Sequence, residues 1–178
     1  MAGTTTREAP LAVGDRLPAI ALPDVSSGRE VRWRWAPSGA SIVVFPHQDC
    51  AACREFLEQL DEASDEIGMW GARPLVVAPE EGDAARQLAE RLGFPVLKDE
   101  DSAARRACGV SSHQVVVFVA DRYGSVHEAY EVTGEHAFPP VEDLVEWTKF
   151  LGTQCPECGV PDEPGLGEWD PLEDEESS

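Results

Sequence analysis

The chain has 178 residues, 34 acidic against 14 basic for a formal net charge of −20, and five cysteines. That length suits one α/β domain with tails and argues against a large multidomain enzyme. A surface this negative repels phosphate backbones and anionic lipid, which argues against nucleic-acid partners and against a membrane-surface role.

Residues 1–10 read as a loose leader. They lack the basic region and apolar stretch of a secretory signal, and no apolar run approaches the roughly 18 residues that a membrane span needs. A cytoplasmic protein is predicted, in a compartment that keeps thiols reduced. There, cysteines are reactive or metal-bound more often than they form a disulfide framework. Residues 13–23 form an N-terminal extension, followed by a predicted strand around residues 30–35. Residues 41–45 (Ser-Ile-Val-Val-Phe) are a short β-branched run of the kind buried in a parallel sheet. From 51 to 67, Cys53, Phe56, Leu57, Leu60, Ser64 and Ile67 recur at helical spacing, with acids on the opposite face. Residues 74–78 are a second buried strand and 83–92 a second helix, with Asp83 at its start and Gly93 after its end. A short helix over 102–107 leads through Gly109 to the strongest strand, 114–120. Asp121-Arg122-Tyr123-Gly124 is a turn, and 125–132 its antiparallel return. Pro139-Pro140 opens a last helix that carries Glu142 and Asp143 in its first turn and has Gly152 after its end. Parallel strands first and a hairpin late describe an α/β thioredoxin-like fold. A central mixed sheet flanked by helices is predicted over residues 11–152.

The chemistry concentrates at Cys50-Ala51-Ala52-Cys53-Arg54, between a buried strand and a helix N-terminus. The free N–H groups and the helix dipole stabilise a thiolate there. Arg54 adds a cation, Asp49 opposes it, and His47 is either a proton shuttle or a solvated loop residue. Cys53 falls on the apolar stripe and should be shielded, whereas Cys50 lies at the helix mouth. An exposed sulfur that attacks and a shielded one that resolves is the logic of a dithiol oxidoreductase, so Cys50 is the predicted nucleophile and Cys53 the resolving thiol. Half of a zinc site and inert packing are the competing readings of the same pair. Cys108 reads as a small core residue.

Val13-Gly14-Asp15-Arg16-Leu17-Pro18, the strand into Cys50-x-x-Cys53-Arg54, and Val117-Phe118-Val119-Ala120-Asp121-Arg122-Tyr123-Gly124 together resemble the redoxin group. This is the peroxiredoxin-like alkyl hydroperoxide reductase/thiol-specific antioxidant (AhpC/TSA) family of the thioredoxin superfamily. The resemblance implies a thiol-dependent antioxidant oxidoreductase with no dissociable cofactor. A hydroperoxide or a protein disulfide would be its substrate and a thioredoxin- or glutaredoxin-like thiol donor its reductant, and a homodimer fits the same pattern. In thioredoxin-like members the first cysteine attacks, which here is Cys50. The peroxiredoxin pattern Pro-x-x-x-Thr-x-x-Cys instead aligns Pro46 and Cys53, making Cys53 peroxidatic, but Cys50 stands where the Thr would be. The strand facing the site carries a cis-proline in one branch and an arginine in the other. That position falls here at Gln114 or Val115, and His113 beside it is either a polar substitute or a surface residue.

Cys155-Pro156-Glu157-Cys158-Gly159 follows the last helix as a knuckle over 153–160. It reads as a mobile relay or resolving dithiol that exchanges with Cys50–Cys53, as two ligands of a zinc completed by a second subunit or by Cys50 and Cys53, or as an inert turn. Residues 161–178 carry eight acids and no base, a solvated tail without a core of its own. The leading expectation is a thiol oxidoreductase working through Cys50 and Cys53. The alternative is a non-catalytic redoxin-fold module for redox sensing or binding, zinc-bridged through Cys155 and Cys158 in one form.

Overall fold

A computed structural model describes residues 7–32, 39–47, 50–78, 83–133 and 137–154. Cys155, Cys158 and the acidic tail lie outside them, as do Asp49 and the second half of the strand expected around 30–35. The elements run β1 (Ala21–Pro23), β2 (Glu30–Arg32), β3 (Ser41–Phe45), α1 (Ala51–Glu62), α2 (Ser64–Met69), β4 (Arg73–Ala78), α3 (Asp83–Arg91) and β5 (Val96–Lys98). A 3₁₀ turn (Glu100–Ser102) then leads to α4 (Ala103–Cys108), β6 (Val115–Ala120), β7 (Val126–Val132) and α5 (Val141–Gly152). A five-stranded sheet has the order β5-β4-β3-β6-β7, while β1 and β2 form a separate antiparallel pair. β3 pairs parallel with β4 and antiparallel with β6, which makes the sheet mixed. The predicted α/β thioredoxin-like architecture is the observed one.

Side chains alternate across each strand, so a β-branched run buried on both faces feeds two cores. Ile42, Val44, Val76, Val117 and Val119 point to one side, where Phe56, Leu57 and Leu60 of α1, Ile67 of α2 and Leu144 of α5 cover them. Val43, Phe45, Leu75, Val77, Val116 and Phe118 point to the other, against Ala104 and Cys108 of α4 and Leu11, Leu17 and Leu22 of the N-terminal segment. Cys108 is fully buried, and its thiol is pushed up to about 12 by burial, with Asp99 adding to the shift.

Three local details differ from the sequence reading. The helix expected over 51–67 is broken at Ala63, which closes α1 by donating its N–H to Gln59 and opens α2 at φ −88, ψ −3. Ser64, Asp65 and Glu66 are helix-start residues, and they begin a new helix that still turns Ile67 into the core. β1 and β5 were not anticipated, because three residues carry too little periodicity to register. Residues 7–10, within the expected leader, run along the end of α4, with Arg7 N–H donating to Arg106 O and Leu11 N–H to Cys108 O. Gly109 caps α4 in the left-handed region at φ 70, and a Cβ there would run into the Ala9 carbonyl.

Candidate active site

β3 ends at Phe45, in the centre of the sheet, and delivers Pro46 and His47 to the N-terminus of α1. Cys50 is the cap residue of that helix: its backbone is extended (φ −92, ψ 117), and its Sγ accepts the N–H of Cys53 at 3.2 Å. A sulfur in this place satisfies one of the helix's free N–H groups and sits where the dipole favours negative charge. Cys50 is half-buried; Cys53, one turn in, is 2% exposed. Cys53 packs on Val115 and Val132, with Phe138 beside them. Burial above all, then the neighbouring Cys50 sulfur, pushes the Cys53 thiol up to about 12, although the His47 backbone pulls the other way. The two sulfurs thus differ in exposure, Cys50 half-buried at the helix mouth and Cys53 shielded behind it.

His47 is half-buried, with Nε2 2.5 Å from the backbone oxygen of His113. A carbonyl only accepts, so Nε2 carries the proton. His113 reaches the site through its main chain alone; its side chain is exposed. The ligand atoms of His47, Cys50 and Cys53 all lie within 4.8 Å of one another. These residues open onto a cleft of about 220 Å³ between α1 and α3, with Arg54, Leu88 and Arg91 on its other walls. Arg54 is exposed, and Arg91 reaches Glu58 at 3.5 Å across the surface. The position expected for a cis-proline or an arginine holds Gln114 and Val115. The described residues contain no cis peptide, and Val115, 1% exposed, presents an apolar wall to Cys53.

One residue of the site escaped the sequence reading. Arg105 of α4 is 2% exposed, and its guanidinium donates to Pro46 O at 2.6 Å, Ser111 O at 3.1 Å and Gln114 O at 3.4 Å. It lies 5.5 Å from the centre of the Phe45 ring. Burial lowers its pKa, opposed by the charges of Asp99 and Cys53. Asp99, 1% exposed, accepts the N–H groups of Ala104 and Arg105 at 2.8 and 3.0 Å. Arg105 therefore binds the chain leading into the dithiol to the loop that faces it. The signal was an arginine three residues before Cys108, on the buried side of a short helix.

With this geometry in place, the family assignment rests on a match to the AhpC/TSA family model over residues 13–139. The chain belongs to the AhpC/TSA family. No curated protein sequence matches it at a meaningful level. Among solved structures, a putative thiol:disulfide interchange protein DsbE from Chlorobium tepidum is similar with a TM-score of 0.63 at 24% identity, covering 77% of this chain and 95% of that one. The peroxidoxin BcpB from Mycobacterium tuberculosis gives 0.66 at 18% identity, covering 78% and 96%. AhpC from Mycobacterium tuberculosis gives 0.65 at 20% identity, covering 84% and 98%. At these identities the likeness is one of fold. AhpC/TSA membership, with a dithiol at the helix N-terminus, supports a thiol-dependent redox function. No helix among the described residues is long and apolar enough to cross a membrane.

Proposed function

We propose that the protein is a thiol-dependent oxidoreductase in which Cys50 attacks and Cys53 resolves. The observation that carries this is the contrast between the two sulfurs. Cys50 caps the helix and opens to the cleft, whereas Cys53 is buried behind it with a thiol held protonated. The Cys50 thiolate attacks one sulfur of a substrate disulfide, expels the other as thiolate, and is released when Cys53 displaces the mixed disulfide. With a hydroperoxide, Cys50 takes the terminal oxygen as a sulfenic acid and releases an alcohol or water. Condensation with Cys53 then forms the disulfide and a water. An external dithiol of thioredoxin or glutaredoxin type restores both thiols. The neighbours include an interchange protein and a peroxidoxin, so both substrate classes are in keeping with the fold. The burial of Cys53 argues against its meeting the peroxide first.

A non-catalytic redox-sensing or binding module is the second reading, favoured by Val115 where the family's branches carry proline or arginine. One experiment separates the two. The reduced protein receives one equivalent of hydrogen peroxide or of a peptide disulfide, and the products are mapped by peptide mass. Rapid closure of Cys50–Cys53, with repeated turnover when a dithiol donor is added, supports the enzyme. Closure without turnover supports the sensor, and thiols that stay reduced for hours refute both the enzyme and the sensor, leaving only a binding module. Transfer onward to Cys155–Cys158 in the same map would establish the relay.

A further inference from the structure

The cluster of His47, Cys50 and Cys53 is the one group of three metal-binding side chains among the described residues. Its chemistry exceeds what disulfide exchange needs. Exchange uses two sulfurs; here an imidazole joins them, with all three ligand atoms within 4.8 Å of one another. A tetrahedral zinc site, with bonds of about 2.3 Å to sulfur and 2.0–2.1 Å to nitrogen, holds its ligand atoms somewhat less than 4 Å apart. Small side-chain rotations cover the difference.

The surroundings are those of a metal site. His47 Nε2–H is bound to the His113 carbonyl at 2.5 Å, which orients the imidazole beside the two sulfurs. Ligating histidines are oriented in this way by a backbone carbonyl on their other nitrogen. The Cys53 N–H bound to Cys50 Sγ at 3.2 Å orients that sulfur and leaves lone pairs for a metal. All three residues line the 220 Å³ cleft, which gives a fourth, exchangeable ligand a route to them.

We propose that His47, Cys50 and Cys53 form a zinc site with an open fourth position, occupied only when the dithiol is reduced. Two thiolates and one imidazole suit a thiophilic ion and disfavour calcium or magnesium. A divalent ion balances the two thiolates and leaves the partly buried cluster neutral, which a monovalent ion does not. Three protein ligands with an exchangeable fourth is the arrangement of a reactive zinc rather than a structural one. Disulfide formation removes both thiolates and hence the site. Zinc dithiolate, hydrogen peroxide and two protons give the disulfide, free zinc ion and two waters.

The test uses the reduced full chain carrying Cys155→Ser and Cys158→Ser, so that the second dithiol contributes nothing, with Co²⁺ as the optical probe. One equivalent of Co²⁺ is expected to give tetrahedral visible bands and charge-transfer intensity for two thiolates. Zinc should displace it, and the peroxide-oxidised protein should bind none. His47→Ala, and independently His47→Gln, should weaken zinc binding by about tenfold or more, measured against a chelating dye and with circular dichroism confirming the fold. Absence of tetrahedral bands in the Cys155/Cys158 variant would overturn the proposal. So would unchanged affinity in both His47 variants, which would reduce the site to a bare dithiol chelate. Metal binding to the reduced protein and disulfide formation are read separately, so either can fail without the other.

Discussion

Replacing Arg105 with methionine tests the link between the helix α4 core and the dithiol loop. The substitution keeps most of the side-chain volume and removes the charge. Three carbonyls, Pro46 at 2.6 Å, Ser111 at 3.1 Å and Gln114 at 3.4 Å, lose a charged donor. Hydrogen bonds of this kind contribute about 1.5 kcal/mol each or somewhat more. The Phe45 face loses its cation, and Asp99 keeps a carboxylate 1% exposed with its nearby positive charge gone. Against this, the cost of burying the guanidinium disappears. Breaking a buried charge arrangement by removing one partner typically costs about 3–5 kcal/mol net. With a urea slope of about 2 kcal/mol/M, the midpoint of the reduced protein should fall by about 1.5–2.5 M. Arg105→Lys keeps the charge but not the fork that spans three carbonyls, and should recover about half of the loss. The reasoning is refuted if the methionine variant unfolds within about 1 kcal/mol of the parent, or if lysine restores everything.

Other outcomes follow from the same geometry. Iodoacetamide at pH 8 should label Cys50 at least about tenfold faster than Cys53, because the second thiol is both shielded and held protonated; equal rates by peptide mass would contradict the assignment of roles. Cys53 and Cys108 are each raised to about 12, so the stability they contribute is fully present below the unfolded cysteine range near pH 8.5 and drains away as pH rises towards 12. Each thiol adds a slope of about 1.4 kcal/mol per pH unit in that window. Urea titrations at pH 9 and 11 should show this, and Cys108→Ala should lose about half of the slope. Gly109→Ala forces a side chain into the left-handed region at φ 70 and onto the Ala9 carbonyl, and should lower stability by about 2 kcal/mol in thermal melts. An unchanged melting temperature would mean that residues 7–10 are not held against helix α4. Asp121 is pulled up by burial, but its hydrogen bonds from His127, Ser125 and Tyr123 together hold it below its usual range. The stability it contributes is present above the unfolded aspartate range and is lost as pH falls through the lowered value, so Asp121→Asn should flatten the acid limb of the stability profile.

The central strands β3, β4 and β6 are legible because valine and isoleucine runs buried on both faces admit few other readings. The hairpin into β7 is legible from its Asp-Arg-Tyr-Gly turn. What the sequence hides is short or depends on distant partners. β1 and β5 are three-residue strands that exist because neighbours supply their hydrogen bonds. The break at Ala63 was written in Ser64-Asp65-Glu66, a helix start masked by a continuous apolar stripe. At the site, the strand–dithiol–helix order announces where Cys50 and Cys53 meet, since both lie on one element. The approach of His47 to a carbonyl 66 residues away, and of Arg105 to one 59 residues away, is a product of tertiary folding that no local pattern encodes.

Helix α4 holds the N-terminal segment through Arg106 O, Cys108 O and Gly109, and holds Pro46 through Arg105. The beginning of the chain and the loop before the dithiol are therefore fastened to the same two turns of helix. In amide exchange, Leu11 and Arg105 should open as one unit, with protection that falls together rather than fraying from the end. Handling follows suit: a tag placed ahead of residue 7 leaves this fastening alone, whereas trimming the chain to residue 13 would loosen the thiols some thirty-five residues downstream.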